Sequence, residues 1–197
     1  SQSRTRTFSR HARRRHSVLG GSCLGHYLGI DPGRTGGAVL VNNAGTVCWC
    51  LEWTPNRNGA FRVRSKARAV DHIDSLLNVM FRICELTDEY TRNVEVVAIE
   101  QLYIPPRKNR AFLRCVESRG VLAEVVGILK PATYAEPTPL QWRKAMLGTG
   151  VRNRKQAKAC ALRVVSKVKG ITLPQSDHVA EAYCIAQYGR RFVVRHS

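Results

Sequence analysis

The sequence is poor in acidic residues. Its 197 residues include 14 Asp and Glu against 32 Lys and Arg, so the formal net charge is +18. This excess favours a polyanionic partner, because each phosphate that a basic residue neutralises releases counterions. We therefore predict a nucleic-acid partner; the alternative is a solvated basic surface with no fixed partner.

Signatures of several other protein classes are absent. The seven cysteines form no C-x-x-C pair, so a structural zinc site is not expected, and a reducing compartment fits better than secretion. No apolar run has the length of a bilayer span, and no apolar signal-peptide core is present. We accordingly expect no membrane partner.

The first 25 residues contain six arginines and no acidic residue. This composition is typical of an organellar, most often mitochondrial, transit peptide. It is also typical of an extended basic arm that binds nucleic acid, with Arg13, Arg14 and Arg15 as phosphate contacts. Residues 26–197 keep 26 basic and 14 acidic residues, so the rest of the chain is basic without this arm.

Three short extended runs, at 26–30, 38–41 and 46–53, are separated by Gly and Asn turn residues and predict an antiparallel meander. Residues 54–65 are polar and predict a loop. Residues 66–89 show apolar residues at helical spacing and predict a helix.

The second half of the chain alternates strands with helices. Residues 94–99 are rich in β-branched residues, which predicts a central strand buried on both faces. The remaining predicted elements are a helix at 111–129, a strand at 133–135 and helices at 138–147, 155–168 and 178–188. This order predicts one α/β domain at 26–190, with a mixed β-sheet flanked by helices and a short tail at 191–197.

Acidic residues follow two of the predicted strands. Asp31 ends the first strand and Glu100 ends the central one, and open α/β sheets place their sites at the carboxyl ends of strands. Asp177, His178 and Glu181 begin the last predicted helix, where His178 and Glu181 share one face. If the first strand lies beside the central one, these groups converge at one sheet edge.

Crowded carboxylates repel one another unless a cation joins them, and hard divalent ions prefer oxygen ligands. Two such ions would activate a water and stabilise the leaving oxygen of a phosphodiester cut. Each acid also has a structural explanation. Asp31 precedes a Pro-Gly turn, and Asp177 or Glu181 would favour a helix N-terminus. Glu100 is harder to explain in this way, because a charge that ends a buried run needs a partner.

Five segments resemble, in order, the motifs of the RuvC family of Holliday-junction resolvases. They are Gly29-Ile30-Asp31-Pro32-Gly33, Ile99-Glu100-Gln101-Leu102-Tyr103, Glu117-Ser118-Arg119-Gly120-Val121, the basic segment from Trp142 to Gln156, and Asp177 to Ala182. The resemblance extends over residues 28–189. It implies a ribonuclease H-like fold, nicking of four-way DNA junctions, and a homodimer with the 111–129 helix as its candidate interface.

The resemblance also implies a set of metal ligands. Asp31 and Glu100 would bind two Mg²⁺ ions, with Mn²⁺ as a substitute, and Asp31 would bridge them. His178 and Glu181 would occupy the positions of the last two acidic ligands. Glutamate at 181 departs from the aspartate of the family, and its extra methylene moves the carboxylate. Asp177 is the alternative ligand.

The same resemblance assigns nucleic-acid contacts. Lys155 would act at the scissile phosphate, Lys144 would contact the backbone nearby, and Tyr103 would stack on an unpaired base. For the lysines the alternative is ordinary solvated helix charge, and for Tyr103 it is a core aromatic. Further predicted contacts are Arg107, Lys108, Arg152 and Arg154.

Two functions follow from these features. The first is a metal-dependent junction-resolving endonuclease of an organelle, and it is favoured by Asp31, Glu100, His178 and Glu181 occurring together. The second is a RuvC-like protein that binds ribosomal RNA as a structural or assembly component of an organellar ribosome. The Arg-rich arm favours this second function.

Overall fold

The computed structural model describes residues 25–58, 60–65, 68–102, 110–151, 153–168 and 176–193. Several predicted nucleic-acid contacts lie outside the described residues: Tyr103, Arg107, Lys108, Arg152, Arg13, Arg14 and Arg15. The same holds for nearly all of the predicted arm at 1–25 and for the end of the predicted tail. The proposed domain boundaries therefore stay predictions.

Within the described part of the chain, seven strands form one mixed sheet. They are β1 (His26–Asp31), β2 (Gly36–Asn42), β3 (Val47–Pro55), β4 (Phe61–Ser65), β5 (Arg68–Ile73), β6 (Val96–Ile99) and β7 (Thr133–Ala135). Their order across the sheet is β5-β4-β3-β2-β1-β6-β7. Strands β1 to β5 pair antiparallel, whereas β6 pairs parallel with both β1 and β7. The predicted meander and mixed sheet are confirmed.

Two predictions between the meander and the first helix are wrong. The predicted loop at 54–65 contains the end of β3 and all of β4, and the first part of the predicted helix at 66–89 is β5. In β4, Phe61 and Val63 are buried while Arg62 and Arg64 are exposed. This is the period of a strand with one buried face, but the two arginines make the segment resemble a polar loop.

The helices are α1 (Leu76–Tyr90), α2 (Arg110–Leu129), α3 (Pro139–Leu147), α4 (Arg154–Ser166) and α5 (Asp177–Tyr188). A π-helical turn, Gly189–Val193, continues α5. Side chains cap four of these helices at their N-termini, namely Ser75 for α1, Thr138 for α3, Asn153 for α4 and Ser176 for α5. No helix among the described residues has both the length and the apolar composition of a membrane span.

The sheet separates two apolar layers. Val97 and Ile99 of β6 pack in the layer that contains residues of α1 and α2, and Val96 and Ala98 pack in the layer that contains residues of α3, α4 and α5. Strand β6 is therefore buried on both faces, as its continuous apolar sequence predicts. The predicted fold class, a mixed sheet flanked by helices, is confirmed.

Gly29 of β1 allows α5 to lie directly on the sheet. A Cβ at this position would stand 2.3 Å from the carbonyl oxygen of Ala182 and 2.3 Å from the amide nitrogen of Ala186. Both are backbone atoms of α5, so they cannot move aside as a flexible side chain does. The close approach sets the height of α5 above β1.

We expect Gly29→Ala to lower the free energy of unfolding by about 1–3 kcal/mol or more, because overpacking displaces backbone. Urea denaturation measures the change. Gly150→Ala is the matched control, since Gly150 is exposed and a Cβ added there meets no atom within 4 Å beyond its chain neighbours. Equal unfolding midpoints for the two variants would contradict the close contact.

Candidate active site

Asp31 and Glu100 leave the sheet side by side. Strands β1 and β6 pair in parallel, with Ile30 opposite Ile99. Asp31 is the last residue of β1, and Glu100 follows β6 directly. The adjacency of these two strands, on which the predicted site depends, is thus present, and both carboxylates start from the same edge of the sheet.

The N-terminal part of α5 completes a cluster at this edge. One ligand atom from each of Asp31, His178 and Glu181 lies within 4.8 Å of the others. Nδ1 of His178 is 2.7 Å from Oδ2 of Asp31, which is a hydrogen-bond distance. Burial alone would lower the pKa of His178, but the hydrogen bond and charge of Asp31 outweigh it and the pKa is raised.

Glu100 is held by two consecutive residues of α3. The indole Nε1–H of fully buried Trp142 donates a hydrogen bond to Oε1 of Glu100 over 2.9 Å. Nη2 of Arg143 lies 3.8 Å from Oε1 of Glu100 and 3.6 Å from Oε1 of Glu181. One guanidinium therefore faces two carboxylates that are far apart in sequence.

Both glutamates are hard to ionise. Burial, and next the charge of Asp31, raise the pKa of Glu100 to about 7. The same two causes raise the pKa of Glu181 to about 7, although Arg143 opposes them. Glu181 is only 2% exposed, and its Oε1 has no hydrogen-bond partner among the described residues. A buried carboxylate in this state favours an added cation.

The donor set fits a divalent ion. Carboxylate oxygens are the preferred ligands of Mg²⁺ and Mn²⁺, and an imidazole nitrogen is accepted by transition metals. Oε1 of Glu181 accepts no hydrogen bond from the described residues and has only the ion pair with Arg143 at 3.6 Å, so it can still provide a ligand atom. The residues present therefore fit the ions that the sequence motifs imply.

Asp177 has a different environment. Its Oδ2 is paired with Nζ of Lys158, and its Oδ1 lies 4.0 Å from Nε2 of His178. Burial would raise the pKa of Asp177, but Lys158 and His178 lower it on balance. Asp177 is not one of the three clustered residues, and its contacts place it on the far side of the His178 ring from Asp31.

The acids face a cavity of about 840 Å³. Its charged lining residues are Asp31, Glu100 and Glu181 together with Arg143 and Arg154. A second cavity of about 540 Å³ is also lined by Arg143 and Arg154, and it contains Lys144. Lys155 is exposed in the first turn of α4. The site thus combines acids that could hold cations with basic side chains that could hold a phosphate.

The comparisons with known proteins agree with this geometry. The family described as "Crossover junction endodeoxyribonuclease RuvC" matches residues 27–187. The chain belongs to the RuvC family. This family depends on divalent metal ions, in accord with the acidic cluster of the described residues.

Individual RuvC proteins are similar over most of their length. Crossover junction endodeoxyribonuclease RuvC of Alkaliphilus metalliredigens is 29% identical over 160 residues, which are 81% of this chain and 88% of the relative. RuvC of Syntrophomonas wolfei is 27% identical over 170 residues, 81% of this chain and 84% of the relative. The Thermus thermophilus RuvC structure has a TM-score of 0.52 at 18% identity, covering 87% of this chain and 96% of that one. This likeness shows the shared fold.

The structure brings together most of the predicted RuvC site residues that it describes. Asp31, His178 and Glu181 are clustered, and Glu100 lines the same cavity. Their roles as metal ligands stay predictions, as does that of Asp177, and so do the nucleic-acid roles of Lys144, Lys155 and Arg154.

Two groups at the site were missed from the sequence, Trp142 and Arg143. Their only sequence signal was their position in the basic RuvC-like segment, next to Lys144. The contact of Arg143 with Glu100 and Glu181 could not be predicted, because these residues are far apart in sequence and no local pattern marks such a contact.

Proposed function

We propose that this chain is a metal-dependent endonuclease that cuts four-way DNA junctions. The observation that carries the proposal is the convergence of Asp31, Glu100, His178 and Glu181, from two strands and one helix, around one cavity. The curated relatives are named as endodeoxyribonucleases of crossover junctions. A similar structure is described as Thermus thermophilus RuvC in complex with Holliday junction substrate.

Asp31, Glu100, His178 and Glu181 would hold the divalent ions, two Mg²⁺ per site with Mn²⁺ as a substitute. When bound, such ions supply an activated water and neutralise the charge that develops on the leaving oxygen. Oε1 of Glu181 supports this assignment because it is buried and lacks a hydrogen-bond partner among the described residues.

The protein's own side chains would orient the reacting groups. Asp31 fixes the ring of His178 through Nδ1, and Trp142 fixes the carboxylate of Glu100. Arg143 and Arg154 line the cavity as cations that would attract a phosphodiester. Lys144, in the adjoining cavity, and the exposed Lys155 would extend this positive surface along a bound strand.

A symmetric homodimer would place two such sites on one junction. Exposed apolar side chains support this: Leu113 and Val116 on α2, and Leu77 and Phe81 on α1, the helix that packs against α2. Sedimentation equilibrium tests the dimer. We also propose an organellar, mitochondrial location, which rests on the composition of residues 1–25 alone and is tested by cell fractionation.

The test of the function is strand cutting by the purified chain. A four-way junction with Mg²⁺ is expected to be nicked in paired strands, whereas a linear duplex of the same sequence is left intact. Mn²⁺ should replace Mg²⁺, and EDTA should stop the reaction. Failure to cut the junction with either ion would overturn the proposal.

The RNA-binding alternative gains no support from the comparisons. The curated relatives are named as endodeoxyribonucleases, and the acidic cluster has no use in a protein that only binds RNA. Cosedimentation of the native protein with ribosomal RNA would favour the alternative.

A further inference from the structure

Glu52 of β3 is an acid that none of the motifs includes. Its side chain is only 12% exposed, and its Oε1 accepts a hydrogen bond from Oγ of Ser176 over 2.6 Å. Ser176 is 7% exposed and is the N-cap of α5. A mostly buried glutamate of the sheet is therefore hydrogen-bonded to the N-cap of the helix that carries His178 and Glu181.

The register of the sheet shows why this contact concerns the active site. Asp31 lies opposite Gly37, and Gly37 lies opposite Glu52, so the three residues form one row across β1, β2 and β3. A Cβ on Gly37 would stand 2.7 Å from the carbonyl oxygen of His178. The first turn of α5 thus sits directly over Gly37, between the two acids.

The N-terminal end of α5 is consequently hydrogen-bonded to the sheet on both sides of Gly37. On one side Asp31 contacts His178, and on the other Glu52 contacts Ser176. The hydroxyl of Ser176 serves two contacts at once, because it donates its hydrogen to Glu52 and accepts from the amide of Val179 at 3.5 Å. Because Oε1 of Glu52 accepts this hydrogen, the contact fixes the direction of the serine hydroxyl.

We propose that Glu52 and Ser176 are positioning residues that set the orientation of α5, and thereby the distance of His178 and Glu181 from Asp31. The proposal rests on the nuclease function proposed above. Neither residue lines the acid cavity or belongs to the clustered ligands of the described chain. A small displacement of the helix would separate groups whose ligand atoms now lie within 4.8 Å.

Single-turnover cutting of a junction with Mg²⁺ tests the proposal. Glu52→Ala and Ser176→Ala are each expected to lower the rate by roughly 10- to 100-fold, the effect of a misplacement of about 1 Å. The double variant should be no slower than the slower single variant, because each single substitution already removes the contact between Glu52 and Ser176. Glu85→Ala is the matched control, since Glu85 is exposed on α1 and pairs only with nearby Arg82 among the described residues.

Glu52→Gln separates position from charge. Glutamine keeps an oxygen that accepts from Ser176 but removes the negative charge, so its rate should return to within a few-fold of wild type. Nη1 of Arg64 lies 3.8 Å from Oε2 of Glu52. A rate as low as that of Glu52→Ala would therefore show that the charge of Glu52, and not its contact with Ser176, matters, and would overturn the proposal. A wild-type rate in Glu52→Ala would overturn it as well.

Hydrogen exchange of the metal-free protein gives a readout that does not depend on cutting. Glu52→Ala should speed exchange of the amides in the first turn of α5, at Val179 and Ala180, and leave those of α2 unchanged. If the wild-type chain cuts no junction, the nuclease proposal fails while this measurement still tests the contact. Unchanged exchange in Glu52→Ala would reject the positioning role.

Discussion

Asp31→Asn is expected to abolish junction cutting, with the single-turnover rate falling by roughly 10³-fold or more. Substituting a residue that only hydrogen-bonds a metal ligand already lowers metal affinity or activity by about 10- to 100-fold. Asp31 is placed to be a ligand itself, so a larger loss is expected. Its Oδ2 also orients His178, and its charge acts on both Glu100 and Glu181. One substitution thus acts on His178, Glu100 and Glu181 together.

Binding should respond differently from cutting. Asparagine removes a negative charge from the cavity that we propose binds the phosphodiester. The variant should therefore bind the junction at least as tightly as wild type in a gel-shift assay. Asp88→Asn, an exposed acid of α1, is the matched control and should cut normally. Cutting by Asp31→Asn at the wild-type rate would mean that the reaction occurs at another site.

The sequence predicts those parts of the fold whose signals are local. The β1-β2-β3 meander was predicted because turn residues separate its short apolar runs, and β6 because four consecutive apolar residues suit a strand buried on both faces. Strands β4 and β5 were missed. The arginines of β4 hide its alternation, and in β5 the spacing of Ala69 and Ile73 equally fits a helix.

In the active site, too, the residues with local sequence signals could be predicted and the long-range contacts could not. Asp31 and Glu100 could be predicted because each ends an apolar strand, and His178 and Glu181 because their spacing puts them on one helical face. The contacts that hold these acids could not be predicted. Trp142 and Glu100 are 42 residues apart, and Glu52 and Ser176 are 124 residues apart. Only the assembled sheet and helices bring such pairs together.

The metal-free protein is expected to lose stability as the pH rises. Glu100 and Glu181 have folded-state pKa values of about 7 against a usual value of 4.5. Between these values the unfolded chain has released both protons while the folded chain still holds them, so stability falls as the pH increases through this window. The raised pKa of His178 acts in the same direction, and the lowered pKa of Asp177 acts only at more acidic pH.

Divalent ions should reverse this loss, because they bind the ionised carboxylates. Melting temperatures measured in EDTA should be lower at about pH 8 than at about pH 5, and Mg²⁺ should raise the melting temperature more at the higher pH. A stabilisation by Mg²⁺ that is equal at both pH values would contradict the raised pKa values.

Glu181→Gln should isolate the contribution of one buried acid. At about pH 8 the metal-free variant should be more stable than wild type by up to about 3 kcal/mol, because each unit of pKa shift corresponds to about 1.4 kcal/mol. The variant should also lose most of the stabilisation by Mg²⁺. Glu85→Gln, at an exposed position, should keep the wild-type pH dependence. If Glu181→Gln also keeps the wild-type pH dependence of stability, Glu181 ionises freely in the folded chain. Its buried carboxylate then does not require the cation that the nuclease mechanism assigns to it.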